Sequence, residues 1–141
     1  MTDNQDVLVR VPLLAQLDDK ARRRVSELAT RRLFGSGEYI VRQGESATAL
    51  YIMLRGRVQV ERESDGTVEV LRELGPHAFF GEVALLEDSE RTASVKTLEE
   101  TECLLLPFWQ FNVLVEEFPR FADVILREVI HRLHQNEHHV I

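Results

Sequence analysis

The sequence predicts a mainly β fold with flanking helices: an antiparallel double-stranded β-helix (jelly roll) with a helical N-terminus and two helices at the C-terminal end. Three observations predict it. Short runs rich in β-branched and aromatic residues fill the zone from about residue 31 to 106, several with period-two alternation. Turn signals containing glycine separate these runs. On either side, apolar residues recur at three- and four-residue spacing, the mark of an amphipathic helix. Many short strands at regular spacing favour a closed sandwich or roll.

The helical N-terminus is expected over about residues 7–30. Leu14, Leu17, Ala21, Val25, Leu28 and Ala29 form one face of a helix from about Leu13 to Thr30, with Asp18-Asp19 suited to its N-terminal end. Its other face would carry Arg22, Arg23, Arg24, Arg31 and Arg32, a solvated basic face. The expected strands are Glu38 to Arg42, Ala49 to Leu54, Arg57 to Glu61, Thr67 to Arg72, Ala93 to Thr97 and Glu102 to Leu106. Asp65-Gly66 between two alternating runs predicts a hairpin, because both residues tolerate positive φ. Pro107 can open a helix whose apolar stripe is Phe108, Phe111, Val115 and Phe118, and Pro119 then interrupts it. Phe121, Ile125, Val129 and Leu133 sit four apart on a second helix, so the two C-terminal helices occupy about residues 107–137. A single domain over residues 1–141 is expected, which places any output in a partner or an attached domain.

Composition narrows the function. With 17 Lys and Arg against 24 Asp and Glu, the chain carries a formal charge of −7, which gives no support to direct nucleic-acid binding. No apolar run approaches the roughly 20 residues of a membrane span, and the polar start is not a signal peptide. A cytoplasmic protein is therefore expected. The one cysteine, Cys103, lies in an apolar strand and reads as an inert core thiol. His134 and His138 are four apart on a helix, beside His131 and His139, but no carboxylate or cysteine completes a metal set. The β zone holds only His77, which leaves a metal-dependent jelly-roll enzyme without ligands. No Ser-His-Asp arrangement has local support. The expectation is a protein that is not an enzyme and needs no metal or cofactor.

One segment breaks the strand rhythm: residues 79–95, Phe79-Phe80-Gly81-Glu82-Val83-Ala84-Leu85-Leu86-Glu87-Asp88-Ser89-Glu90-Arg91-Thr92-Ala93-Ser94-Val95. Gly81 allows a ligand to approach the backbone closely. Glu82 opens a short helical stretch whose first amides can face an anion. Arg91 offers a planar fork that grips two phosphate oxygens at once. These residues suit a ligand with both hydroxyls and a phosphate. Spacing alone is equally compatible with a capped turn in which Glu82 and Arg91 pair with each other.

This segment resembles the phosphate-binding cassette of the cyclic-nucleotide-binding domain family: Phe-Gly-Glu, an apolar residue, Ala-Leu, a short loop, then Arg-Thr-Ala and a β-branched strand. Gly37, Gly44 and Gly56 around Leu50-Tyr51-Ile52, and Val11-Pro12-Leu13-Leu14 before the first helix, extend the resemblance over about residues 7–135. It implies a cyclic-nucleotide sensor for cAMP or cGMP, cAMP favoured. The implied site has Glu82 on the ribose 2′-hydroxyl, Arg91 on the phosphate, and the amides around Ala84 and Thr92, with Gly81 and Val83 lining the pocket. Glu90 departs from the proline or glycine of many members. Thr92 can engage a guanine amino group, although members with a hydroxyl here also respond to cAMP. Leu74 is either an apolar contact to the base or core packing. From Gly81 onward the chain is similar to the nucleotide-gated channel domains, a register that puts Arg132 over the purine or, equally, in solvent. The final helices would act as a lid that signals to an effector protein or attached domain. Alternatives are the effector-binding part of a catabolite-activator-type transcription regulator without its helix-turn-helix, and a docking domain that binds no nucleotide. The apolar face of the last helix leaves a homodimer open.

Overall fold

The computed structural model describes residues 10–46, 48–81 and 91–134. The chain enters through a one-turn helix, α1 (Pro12–Ala15), with Pro12 in its first turn where a missing N–H costs nothing. Helix α2 (Asp19–Leu28) follows. The Asp18 carboxylate caps it by accepting from the Ala21 amide at 2.8 Å. Among the described residues eight strands come next: β1 (Thr30–Phe34), β2 (Tyr39–Val41), β3 (Ala49–Arg55), β4 (Val58–Ser64), β5 (Thr67–Leu74), β6 (Phe79–Phe80), β7 (Ser94–Thr97) and β8 (Thr101–Pro107). Two helices close the described chain, α3 (Phe108–Glu117) and α4 (Arg120–His134).

The strands form two four-stranded antiparallel sheets, in the orders β1-β8-β3-β6 and β2-β7-β4-β5. The fold is the β-roll with flanking helices that the strand spacing predicts. Its turns follow backbone chemistry. Asp65 and Gly66 take φ of 53° and 80°, the paired positive values of a two-residue hairpin turn, and Ser64 and Thr67 close the β4–β5 hairpin across them.

β3, inside the first sheet, is buried on both faces, which accounts for its unbroken apolar run. Leu50, Ile52 and Leu54 point to the helices and pack with Leu14, Val25, Phe111, Leu114, Phe121 and Ile125. Ala49, Tyr51 and Met53 point the other way, into the roll, against Val58, Val60, Phe80, Val95 and Cys103. β8 divides likewise, with Leu104 and Leu106 toward the helices and Cys103 toward the roll. Period-two geometry thus deals one strand's residues into two cores. At the C-terminal end, Phe111 and Phe121 meet edge to face with centroids 5.1 Å apart. Arg24 of α2 forks onto Glu117 at the end of α3, at 2.8 and 3.3 Å, and holds its carboxyl below the ordinary range.

The N-terminal expectation needs correction. The single helix from Leu13 to Thr30 is two helices, interrupted at Gln16–Asp18, and it ends earlier: Ala29 is already extended, with ψ 150°. Arg31 and Arg32 are therefore not on a helix face. They lie in β1, paired along β8 opposite Leu104 and Cys103. The pairing partner overrides the helical periodicity there. The two-residue β6 also escaped the strand pattern, being too short to show one. Both C-terminal helices and the interruption at Pro119 agree with the reading, although the buried side of α3 is Phe111 and Leu114 and not the full predicted stripe.

No described helix is long and apolar enough to cross a membrane. Among the described residues no cluster of His, Cys, Asp or Glu is arranged to hold a metal; His138 and His139 lie outside them. Cys103 is fully buried, and burial pushes its thiol up to about 12. The folded chain should therefore resist a thiol reagent such as Ellman's at pH 8 and react fully once unfolded in urea. Because the thiol's pKa is raised above its unfolded value of about 8.5, its contribution to stability is complete below that pH and is lost toward pH 12. Rapid native-state labelling at pH 8 would contradict the packing described.

Candidate functional site

The site is organised around Arg91, which enters β7 from the end of the cassette segment. Its main chain is anchored first. The Arg91 amide donates to the Glu45 carbonyl at 2.8 Å, and the Gly44 amide donates to the Arg91 carbonyl at 3.0 Å. The turn between β2 and β3 thus grips the residue from both sides. Alongside, Ser94 Oγ accepts from the Gln43 amide at 2.8 Å.

Its side chain is then fixed inside the roll. Arg91 is 5% exposed. Nη2 donates to the Ala49 carbonyl at 2.7 Å and Nη1 to the Gly81 carbonyl at 3.4 Å. The guanidinium lies 5.9 Å from the Tyr51 ring centroid, and Tyr51 in turn stacks on Phe80, 5.1 Å apart and 8° from parallel. Burial raises the Tyr51 phenol above its ordinary range, against the opposing pull of the Arg91 cation. A cation shut into such a place is costly to desolvate, so it is kept where charge-assisted bonds repay that cost.

Gly81 is part of the same arrangement. Its φ is +97°, and a Cβ there would sit 2.6 Å from Arg91 Nη1 and 3.0 Å from the Ala49 oxygen. Only a glycine fits against the guanidinium with that backbone. Thr92 follows Arg91. Its carbonyl accepts from Arg62 Nε at 3.3 Å, and its hydroxyl is shut off from solvent with no hydrogen-bond partner among the described residues. A buried hydroxyl in that state has donor and acceptor capacity to offer.

Three segments distant in sequence thus converge: the turn at Gly44–Glu45 with the start of β3, the end of β6 at Gly81, and Arg91–Thr92. Leu74 is half-buried and packs against the roll interior, opposite Val58. Arg132 falls within α4, 12 residues on from its first residue, Arg120. Its side chain lies outside the described residues, as do Glu82, Val83, Ala84 and Glu90. The turn at Gln43–Glu45 was marked by its glycine, but its grip on the Arg91 main chain and the role of the Ala49 carbonyl were missed by sequence reasoning. Main-chain atoms leave no mark in residue identity, and only the positive φ of Gly44, 88°, had a possible signal.

Two antiparallel sheets rolled around a buried arginine that lies against Gly81 define a β-roll domain. This chain belongs to the cyclic nucleotide-binding domain family, whose pattern it matches over residues 31–118. It is 33% identical over 133 residues to a putative potassium channel protein of Rhodopseudomonas palustris, covering 94% of this chain and 32% of that one. It is 35% identical over 114 residues to the cAMP-dependent protein kinase regulatory subunit of Dictyostelium discoideum, covering 78% and 35%. Among solved structures, it superposes on the catabolite activator protein of Thermus thermophilus with a TM-score of 0.82 and 32% identity, covering 89% of this chain and 59% of that one. The chain spans about a third of the length of the two curated relatives. It is a cyclic nucleotide-binding regulatory domain.

The Gly81 geometry makes one substitution decisive. Gly81→Ala should cost about 1–3 kcal/mol from backbone strain alone, before any displacement of Arg91. Urea unfolding measures it; an unchanged midpoint would mean that the Gly81 backbone is not held as described.

Proposed function

We propose that the chain senses a cyclic purine nucleotide, cAMP ahead of cGMP, and relays its occupancy to an attached domain or a separate effector protein. The observation that carries this reading is the buried Arg91 guanidinium, aligned by the Ala49 and Gly81 carbonyls beside a glycine that leaves it room. In this reading Arg91 pairs with the cyclic phosphate, and the exchange of solvent for a planar fork gives the anion its strongest contact. Glu82 accepts from the ribose 2′-hydroxyl. The amides around Ala84 and Thr92 complete the cradle, with Gly81 and Val83 along its wall.

The base lies toward Leu74, with Arg132 approaching from the last helix, where a guanidinium can stack on the purine face. Thr92 offers its hydroxyl to a guanine amino group, which keeps cGMP as the competing ligand. Preference for cAMP rests on similarity to a regulatory subunit that is cAMP-dependent by name.

The signal in this reading is a change in the C-terminal helices. α3 and α4 meet at Phe118 and Pro119, where the chain leaves helical geometry with φ −135° and ψ 83°. That joint lets α4 turn while α3 stays packed on the roll. Ligand drives the turn only to the extent that it binds one helix position better than the other.

Arg91→Ala should lower cAMP affinity by ~10²–10⁴-fold, the loss expected when a buried charge pair loses one partner. Isothermal titration checks it, with circular dichroism to show that the variant folds and Arg91→Lys as a second variant that keeps the charge and loses the fork. Micromolar binding retained by Arg91→Ala would overturn the assignment. Deleting residues 128–141 should speed nucleotide release in stopped-flow measurements with a fluorescent analogue. An unchanged dissociation rate would remove the last helix from the mechanism.

A further inference from the structure

The outer face of the second sheet carries a surface that the nucleotide site does not use. Val68 and Val70 of β5 are 56% and 53% exposed. Register explains what lies around them. Ser64 and Thr67 close the hairpin, so Val68 stands opposite Glu63 and Val70 opposite Glu61. In a two-residue hairpin the closing pair exchanges both of its main-chain bonds, and the pairs alternate from there. Val68 and Val70 therefore direct their N–H and C=O groups away from β4. β5 is the last strand of its sheet, and among the described residues nothing pairs with that edge. An open edge with two exposed valines is a template for one more strand.

Charge selects what can fill it. Glu63 is exposed beside Val68, while Glu61, opposite Val70, is buried and accepts from the Tyr39 hydroxyl at 2.9 Å and from the Gln59 side-chain amide. A cavity of about 220 Å³ opens between Val68, Tyr39, Glu61 and Glu63, with Arg42 on its wall over the Tyr39 ring at 4.4 Å. The carboxylate it leaves open beside Val68 is that of Glu63. A second copy of this chain would bring the same acids and a net charge of −7 to the contact.

We propose that the β5 edge docks an extended segment of a partner protein with lysine or arginine at every second position. Main-chain bonds form to Val68 and Val70. The basic side chains lie on the outer face, their methylene stems over the two valines and the cation beside Val68 at Glu63. The interaction requires no nucleotide.

The test uses the 141-residue chain and an acetylated, amidated heptapeptide of alternating lysine and threonine, followed by amide hydrogen exchange in NMR spectra. Saturating peptide should slow exchange at Val68 and Val70 by roughly tenfold or more. Glu63→Gln should weaken the peptide roughly two- to fivefold, the scale of an exposed ion pair. A peptide with glutamate in place of lysine should leave both amides unchanged. No slowing at millimolar lysine peptide, or equal slowing with the glutamate peptide, would overturn the proposal. Slowing on raised protein concentration without peptide would overturn it too, by giving the edge to a second copy.

Discussion

The short bond from Arg91 to the Ala49 carbonyl joins the two sheets at the point where the cassette segment returns to the roll. A guanidinium is planar and bonds along fixed directions, so two main-chain acceptors are enough to set its orientation. Ala49 starts β3, Gly81 ends β6, and Arg91 leads into β7. The register of all three strands therefore sets where the cation sits. Main-chain carbonyls accept along fixed directions, so these two bonds hold the plane of the guanidinium by geometry.

β3 connects this arrangement to the helices. Its Ala49 and Tyr51 line the roll beside Arg91, while Leu50 and Ile52, on alternate positions, support Phe111, Leu114, Phe121 and Ile125. Close-packed cores respond to a displaced neighbour by repacking and not by continuous deformation. One strand with the Arg91 surroundings on one face and the helix seat on the other is a short physical route between them. Arg24 on Glu117 ties the N-terminal helix to the same assembly, at the end of α3 next to the Phe118–Pro119 joint.

Much of this was legible in the sequence, and the failures have identifiable causes. The strands β2 to β5, β7 and β8 were marked by β-branched runs, and the β4–β5 turn by Asp65-Gly66, because local sterics decide both. β1 was hidden: Thr30, Arg31 and Arg32 continue the helical spacing, and only their pairing with β8 makes them a strand. Arg91 and Gly81 stood out as a pair ten residues apart, but what holds the guanidinium did not. Its acceptors are backbone oxygens of Ala49 and Gly81, and the grip on its main chain comes from Gly44 and Glu45, over 40 residues upstream for each contact except Gly81. Residue types reveal side-chain chemistry; main-chain donors and acceptors become visible only once the chain is folded. The period-two division of β3 between two cores was likewise masked as a plain apolar run.

The central claim is that Arg91 is oriented by the protein before the anion arrives and keeps that orientation afterwards. A crystal structure of this chain with bound cAMP tests it most directly. The account predicts a phosphate oxygen within about 2.7–2.9 Å of the Arg91 guanidinium, the distance of a charge-assisted bond, with the bond to the Ala49 carbonyl still in place. A phosphate bound away from Arg91, or an Arg91 side chain that has left Ala49 to reach it, would contradict the account.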